Sequence, residues 1–207
     1  MSKYTYKVNK IYSSSGKVLA YDLLVILNNL EVVDFSYLSD MEFKTILIEQ
    51  IEYLSTFREC LISININLML LKLDWFNSEY LPILEALKTE NDLMVSLKFI
   101  GEDTLFVARY DFEILNLKTK GFQIWMGDFG HKETNLGFIK KVKTFDVIKL
   151  SQTFVEEMFQ FNQSLLSDVI KALRAQNITL IVSGINNELM LDFVSKHYCF
   201  GIGNYYS

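Results

Sequence analysis

The chain has 207 residues, half of them hydrophobic, with one Pro and nine Gly. That length and apolar content support a sizeable core and leave little for a flexible linker, so residues 1–207 read as a single domain. The net charge of −5 argues against a nucleic-acid binder working by counterion release, which needs a basic face; the cluster Lys140, Lys141 and Lys143 reads as the solvated side of a helix. Cys60 and Cys199 lie far apart beside apolar residues with no metal-ligand spacing, so both read as reduced and mostly buried. The polar start, Met1 to Lys10, is no signal peptide, and no apolar run reaches the roughly 18 residues that span a membrane. The expectation is a cytoplasmic protein without a direct nucleic-acid or membrane partner.

In chain order, Tyr4 to Ile11 suits a strand, Ser13-Ser14-Ser15-Gly16-Lys17 a turn, and Val18 to Leu24 a second strand, which together predict an antiparallel hairpin. Asp22 interrupts the apolar run. Ser39-Asp40-Met41-Glu42 offers caps for a helix with Phe43, Ile46, Leu47, Ile51 and Leu54 at helical spacing. Strands follow at Cys60 to Ile66, Leu93 to Ile100, Phe122 to Met126, around Val147, at Ile178 to Val182 and at Tyr198 to Ile202. Between them, helices are expected at Glu79 to Lys88, Asp103 to Leu117, Asn135 to Val142, Ser164 to Ala175 and Glu188 to Lys196. Strand-then-helix alternation with short connections means a parallel sheet. With no dinucleotide-type glycine fingerprint, a βα-barrel is favoured over a doubly wound sheet, compact for a barrel at this length.

Two of these strands end in single charged residues. The run to Met126 stops at Gly127-Asp128-Phe129-Gly130, and Val147-Ile148 stops at Lys149. Chemistry in a βα-barrel is placed at the C-terminal ends of the strands in this way.

These residues resemble the EAL domain family, bacterial phosphodiesterases of cyclic di-GMP. Gly127-Asp128-Phe129-Gly130 stands where the family has Asp-Asp-Phe-Gly, and Ile148-Lys149-Leu150-Ser151 where it has Ile-Lys-Ile-Asp. Asp22-Leu23-Leu24 stands for Glu-Ala-Leu, and Ile64-Asn65-Ile66-Asn67 for the Val-Asn-Leu-Ser strand end. Ser183-Gly184-Ile185-Asn186 stands for Glu-Gly-Val-Glu, and Phe200-Gly201 for the late Gln-Gly. The resemblance implies a TIM-like EAL (β/α) barrel, modified and C-terminally trimmed, with an antiparallel first strand.

The departures carry the functional expectation. The family hydrolyses a phosphodiester with two divalent ions, which need several oxygen ligands. By the resemblance, the first Glu is the shorter Asp22, while Asn65, Asp128 and Lys149 remain. Lys98 aligns with a metal-binding Glu, Gly127 with the first Asp of the pair, Ser183 with the late Glu, and Ile26 with the Arg that helps hold the substrate. Glu102 is the alternative carboxylate if the third strand slides. Three carboxylates are thus lost and one ammonium gained. At about 4 Å and an effective dielectric near 20, that ammonium repels each unit of metal charge by roughly 4 kcal/mol. The expectation is no catalytic residue, no metal, no cofactor and no phosphodiesterase activity.

Structural roles are also expected. Asp128 and Lys149 would pair across the barrel mouth, Asp22 could pair with Lys98, and Asn65 would bond neighbouring backbone. His131 reads as a solvated loop residue, and Ser183 has no histidine placed by sequence to activate it. Degenerate EAL proteins of the YdiV type act by binding another protein, the D subunit of the flagellar master activator FlhDC, and block its DNA binding. No sensor or GGDEF-like segment accompanies this chain, and it stops at Tyr205-Tyr206-Ser207 where the family continues into a closing helix. Resemblance to that group implies motility repression through the FlhD subunit. Candidate contact residues are Phe154, Met158, Phe159 and Phe161, which read as core or as aromatic anchors, and Tyr205 and Tyr206 at the uncovered end. A catalytically inactive cyclic di-GMP receptor is the alternative, with Lys98 meeting a phosphate.

Overall fold

Strand β1 (Tyr4–Tyr12) runs antiparallel to β2 (Val18–Leu27), from Tyr4 opposite Leu27 to Tyr12 opposite Val18, with a register shift between Ile11 and Tyr12. The turn closes because Gly16 adopts φ 78°, where a side chain is disfavoured, and the Ser13 N–H donates to the Lys17 carbonyl at 2.8 Å. The structure, a computed structural model, describes residues 3–27, 31–33, 38–100, 109–130 and 144–206. A two-residue strand, β3 (Glu31–Val32), joins the far end of β2 at Ile26 and Leu27.

From there strand and helix alternate. Helix α1 (Asp40–Leu54) starts on a capping box: Ser39 accepts from the Glu42 N–H and the Glu42 carboxylate accepts from the Ser39 N–H. Strand β4 (Leu61–Ile66) leads through two short irregular turns to α2 (Leu81–Asn91), which carries Pro82 in its first turn and ends at Asp92 in the left-handed conformation. Then come β5 (Met94–Phe99), α3 (Asp111–Thr119), β6 (Gln123–Phe129) and β7 (Val147–Leu150). Helices α4 (Gln152–Phe161) and α5 (Gln163–Arg174) follow in succession, then β8 (Thr179–Ser183), α6 (Glu188–Lys196) and β9 (Phe200–Ile202). The first half of the helix expected from Asp103 and the whole of that expected over Asn135 to Val142 lie outside the described residues.

The strands close into a barrel. Around it run β1, β9, β8, β7, β6, β5, β4 and β2, with β2 returning to β1. Around the barrel every pairing among β2, β4, β5, β6, β7, β8 and β9 is parallel, β1 is antiparallel to both neighbours, and the short β3 is antiparallel to β2. The fold is therefore the expected EAL-type (β/α) barrel with an antiparallel first strand.

Two-residue periodicity sorts the strand side chains into two cores. One set, including Leu23, Ile62, Ile64, Val95, Leu97, Ile124, Ile148 and Leu180, points outward and packs against the helices. The alternate set, Ile11, Ala20, Trp125, Val147 and Ile181, fills the barrel itself. Each fully buried aliphatic side chain contributes on the order of 1.5–3 kcal/mol, so the larger outer layer dominates stability. The inner stack is where polar residues can be placed at one end.

Candidate functional site at the barrel mouth

Two residues beyond the inner apolar layer, toward the strand C-termini, the same alternation brings polar side chains together. Ala20 gives way to Asp22, Val147 to Lys149, Ile181 to Ser183, and Trp125 to Gly127. On β4 and β5, Ser63, Asn65, Ser96 and Lys98 alternate with outward-facing Ile64, Leu97 and Phe99. Asp22, Ser63, Ser96, Asn65 and Lys98 are buried despite being polar.

Asp22 is the centre. It is fully buried, and its Oδ1 accepts from the Ser63 hydroxyl at 2.7 Å and from the Lys98 ammonium. Its Oδ2 accepts from the Lys149 ammonium at 2.6 Å. Burial alone would raise the Asp22 pKa, but Lys149 and then Lys98 outweigh it and hold the carboxyl well below the usual range. Burial lowers the Lys98 pKa, with repulsion from Lys149 adding to it against the pull of Asp22. Lys149 is also opposed by burial, yet Asp22 and Asp128 together raise its pKa. Among the described residues the two ammoniums are matched in number by the carboxylates of Asp22 and Asp128.

The expected Asp22–Lys98 pair is present. The expected Asp128–Lys149 pair is not, because Lys149 turns to the buried carboxylate, which is dry and central, instead of the half-buried one. Asp128 sits on a bulge between β6 and β7 at φ 53° and acts on both lysines through space. Such bulges re-aim side chains beside functional sites. Asn65 does not bond its backbone neighbours through its carbonyl: Oδ1 is buried without a hydrogen-bond partner, as is Ser183 Oγ. Ser183 has no histidine beside it among the described residues, since His197 ends α6 against the Phe193 ring. Ile26 lies at the far end of β2, half-buried and paired with Thr5 and Val32. Glu102, His131 and the Lys140 cluster lie outside the described residues.

Gly127 lies against the stem of Lys98. A Cβ at 127 would stand 3.1 Å from Ile100 Cγ1 and 3.3 Å from Lys98 Cδ. A side chain at 127 would thus press on Ile100 and on the Lys98 stem, which would have to give by a few tenths of an ångström.

Of the candidate contact residues, Phe154, Met158 and Phe159 pack partly buried against the core, with Phe159 edge-on to Phe193. Phe154 also lies over Gly130, where a Cβ would come within 2.6 Å of ring atom Cδ1. Tyr206 stacks on Tyr12 with centroids 4.4 Å apart. Phe161 is 74% exposed and Tyr205 43%. Cys199 is buried, its thiol pushed up to about 11 mainly by burial, while Cys60 is only half-buried; both are free.

Sequence reasoning missed Ser63, the third partner of Asp22. Its signal was available: a polar residue two before Asn65 in a strand otherwise made of Leu and Ile.

Two divalent ions do not fit these side chains. Each Asp22 oxygen already faces an ammonium, and among the described residues no group of three or more His, Cys, Asp or Glu is placed to hold a metal. Nor is any helix among the described residues long and apolar enough to cross a membrane.

Solved structures share this barrel. The EAL enzyme Bd1971, with cyclic AMP and cyclic di-GMP bound, superposes with a TM-score of 0.79 at 18% identity, over all of this chain and 62% of that one. The chain thus spans about three fifths of Bd1971's length. The EAL domain of FimX from Pseudomonas aeruginosa, bound to cyclic di-GMP, gives 0.75 at 18% identity, over 99% of this chain and 89% of that one. BlrP1 from Klebsiella pneumoniae, in a manganese and cyclic di-GMP complex, gives 0.77 at 13% identity, over 98% and 55%. No curated protein sequence is significantly similar. The EAL domain family itself matches residues 34–207, which take in all the barrel strands from β4 to β9, and this chain belongs to that family.

Proposed function

We propose that this EAL-domain protein does not hydrolyse cyclic di-GMP and acts by binding another protein. The D subunit of the flagellar activator FlhDC is the partner its resemblance implies, and interference with DNA binding by FlhDC is the resulting effect. The observation that carries the loss of catalysis is the Lys98 ammonium on Asp22, buried inside the barrel mouth. A carboxylate whose two oxygens each face an ammonium is screened from a divalent ion by those charges, and the same charges hold its pKa too low for it to take a proton from water. Releasing it means leaving a buried lysine unpaired, which is strongly unfavourable. Exposed aromatic groups such as Phe161 support a contact role, because a large apolar side chain in water gains most by being covered.

The test uses the purified full chain. Cyclic di-GMP is incubated with it in magnesium and in manganese, and titrated calorimetrically under the same conditions. The expected outcome is no linear product, no binding heat up to roughly 100 μM nucleotide, and co-purification with the FlhDC D subunit. Product formation removes the reading. Micromolar binding without product moves the chain to the receptor class.

A further inference from the structure

The underside of the barrel, where the strands begin, carries a different arrangement. Helices α5 and α6 end there, with Lys171, Arg174 and Lys196 in their last turns and His197 next. Cations suit helix C-termini, but two details go beyond that. Arg174 reaches past its own helix: Nη1 donates to the His197 carbonyl at the end of α6, and the guanidinium lies 5.4 Å from the centre of the Tyr198 ring. A guanidinium holds its N–H groups in a rigid fork, and among the described residues Arg174 has no carboxylate partner. Tyr198 follows α6 at φ 52°, the left-handed position where a helix end favours Gly. The other non-Gly residues with positive φ, among those described, are the polar Glu59, Asp92, Asp128 and Asn177. The Tyr198 side chain is 80% exposed. A bulky group that strains the backbone and stays in water is not explained by packing.

We infer that Arg174 and Tyr198, flanked by Lys171 and His197, form a docking point on the underside of the barrel for an acidic segment of a partner protein. A carboxylate fits the free edge of the Arg174 fork, and an apolar side chain next to that carboxylate covers the exposed Tyr198 ring. This rests on the reading of the chain as a protein-binding protein, and goes further by naming the surface and the charge of what it takes. Charge decides the class of partner. The chain as a whole carries −5, whereas the last turns of α5 and α6 hold cations and no carboxylate, so an acidic segment is steered to this corner. Lys171 meets Asp168 at 3.6 Å, but both side chains are exposed, and such a pair opens easily. His197 reports on the site. Burial, then Lys171 and Arg174, lower its pKa, and a carboxylate bound beside it raises that pKa.

The full chain has two histidines, so a His131→Gln control assigns the His197 ring signal in an NMR pH titration. A short capped peptide alternating glutamate with leucine, at up to roughly 5 mM, should raise the His197 pKa. Its glutamine counterpart at the same ionic strength should not. Arg174→Gln and Tyr198→Gly should each weaken peptide binding roughly tenfold or more. Tyr198→Gly should nevertheless unfold at the temperature of the natural protein or above it, because Gly suits the left-handed position. A lower unfolding temperature for Tyr198→Gly overturns the inference, since the ring then serves the fold. So does a His197 pKa that ignores the glutamate peptide, or one that inorganic phosphate raises as much, which makes the patch a general anion site. The D subunit of FlhDC supplies a separate arm. If it binds the natural chain and Tyr198→Gly equally, the inference falls and the proposed protein-binding function stands. If it does not bind the natural chain, that partner falls, and the peptide titration alone decides the docking point.

Discussion

Replacing Asp22 with Asn takes a fully buried carboxylate from between Lys98 and Lys149 and leaves two ammoniums facing each other. Removing one partner from a buried ionic cluster is far more damaging than deleting the whole cluster. Asp22→Asn should destabilise the fold by roughly 3–5 kcal/mol in urea unfolding, and adding Lys98→Met and Lys149→Met should recover most of that. The same residue sets an acid limit. The folded pKa of Asp22 lies below its unfolded value, near 4 for a free Asp. Its contribution is therefore complete above about pH 4. As pH falls through the folded value, the unfolded chain binds a proton that the folded one refuses, and the contribution is lost. Subtracting the pH dependence of Asp22→Asn from that of the natural protein should isolate this limb. At alkaline pH the two lysines oppose each other. The lowered Lys98 pKa makes stability rise as pH approaches the unfolded lysine value, and the raised Lys149 pKa makes it fall as pH climbs through the folded one. The alkaline side should be the flatter of the two.

At the scale of the element, the segment entering α4 ties two loops of the barrel mouth together. Ser151 caps the helix by accepting from the Phe154 N–H, and Phe154 then lies across Gly130, whose φ of 92° suits glycine. Gln152 lies in the same way over Gly184, in the loop after β8. Gly130→Ala meets both the φ penalty and the Phe154 ring, and should destabilise by roughly 3 kcal/mol. In a Phe154→Leu background only part of that loss should remain, and a double-mutant cycle in urea measures the difference. This element also marks where the sequence ran out. Strand and helix order was legible because apolar runs alternate cleanly with helical spacing. The break between α4 and α5 was not, since it falls at Asn162, which ends one helix and caps the next with no Gly or Pro to signal it. Strand β6 runs on through Gly127 and Asp128, where the apolar run was expected to stop, and they form a bulge inside the strand. The Asp22–Lys98 pair was legible from charge and position, whereas the choice of Lys149 between Asp22 and Asp128 depends on distances across the barrel that no spacing along the chain encodes.

The whole molecule depends on one thin seam. Most neighbouring strands pair over several residues, but β1 and β9 meet at a single pair, Tyr12 opposite Gly201. Side chains do what backbone pairing does not. The Tyr206 ring stacks on Tyr12 at an interplanar angle of 9°, and it lies so close over Gly201 that a Cβ there would be 2.9 Å from ring atom Cε2. The turn carrying Tyr206 is held to the loop after β8, where the Tyr205 N–H donates to the Ile185 carbonyl and the Ile185 N–H to the Ile202 carbonyl. At this seam the Tyr206 ring adds a tertiary contact to the single Tyr12–Gly201 pair and to the packing of Ile11 with Phe200 and Ile202 inside the barrel. The Tyr206 hydroxyl is buried without a hydrogen-bond partner, so the ring and not the oxygen holds the seam. Tyr206→Ala should lower stability by about 2–3 kcal/mol and speed amide exchange at Tyr12 and in β9 before the parallel strands β4 to β8 respond, because a seam that opens locally exchanges below the global unfolding free energy. Tyr206→Phe, which keeps the ring and removes an unsatisfied hydroxyl, should be neutral or slightly stabilising. If Tyr206→Ala instead accelerates exchange equally in β1, β9 and the parallel strands, the barrel opens only as a unit and the seam has no separate stability.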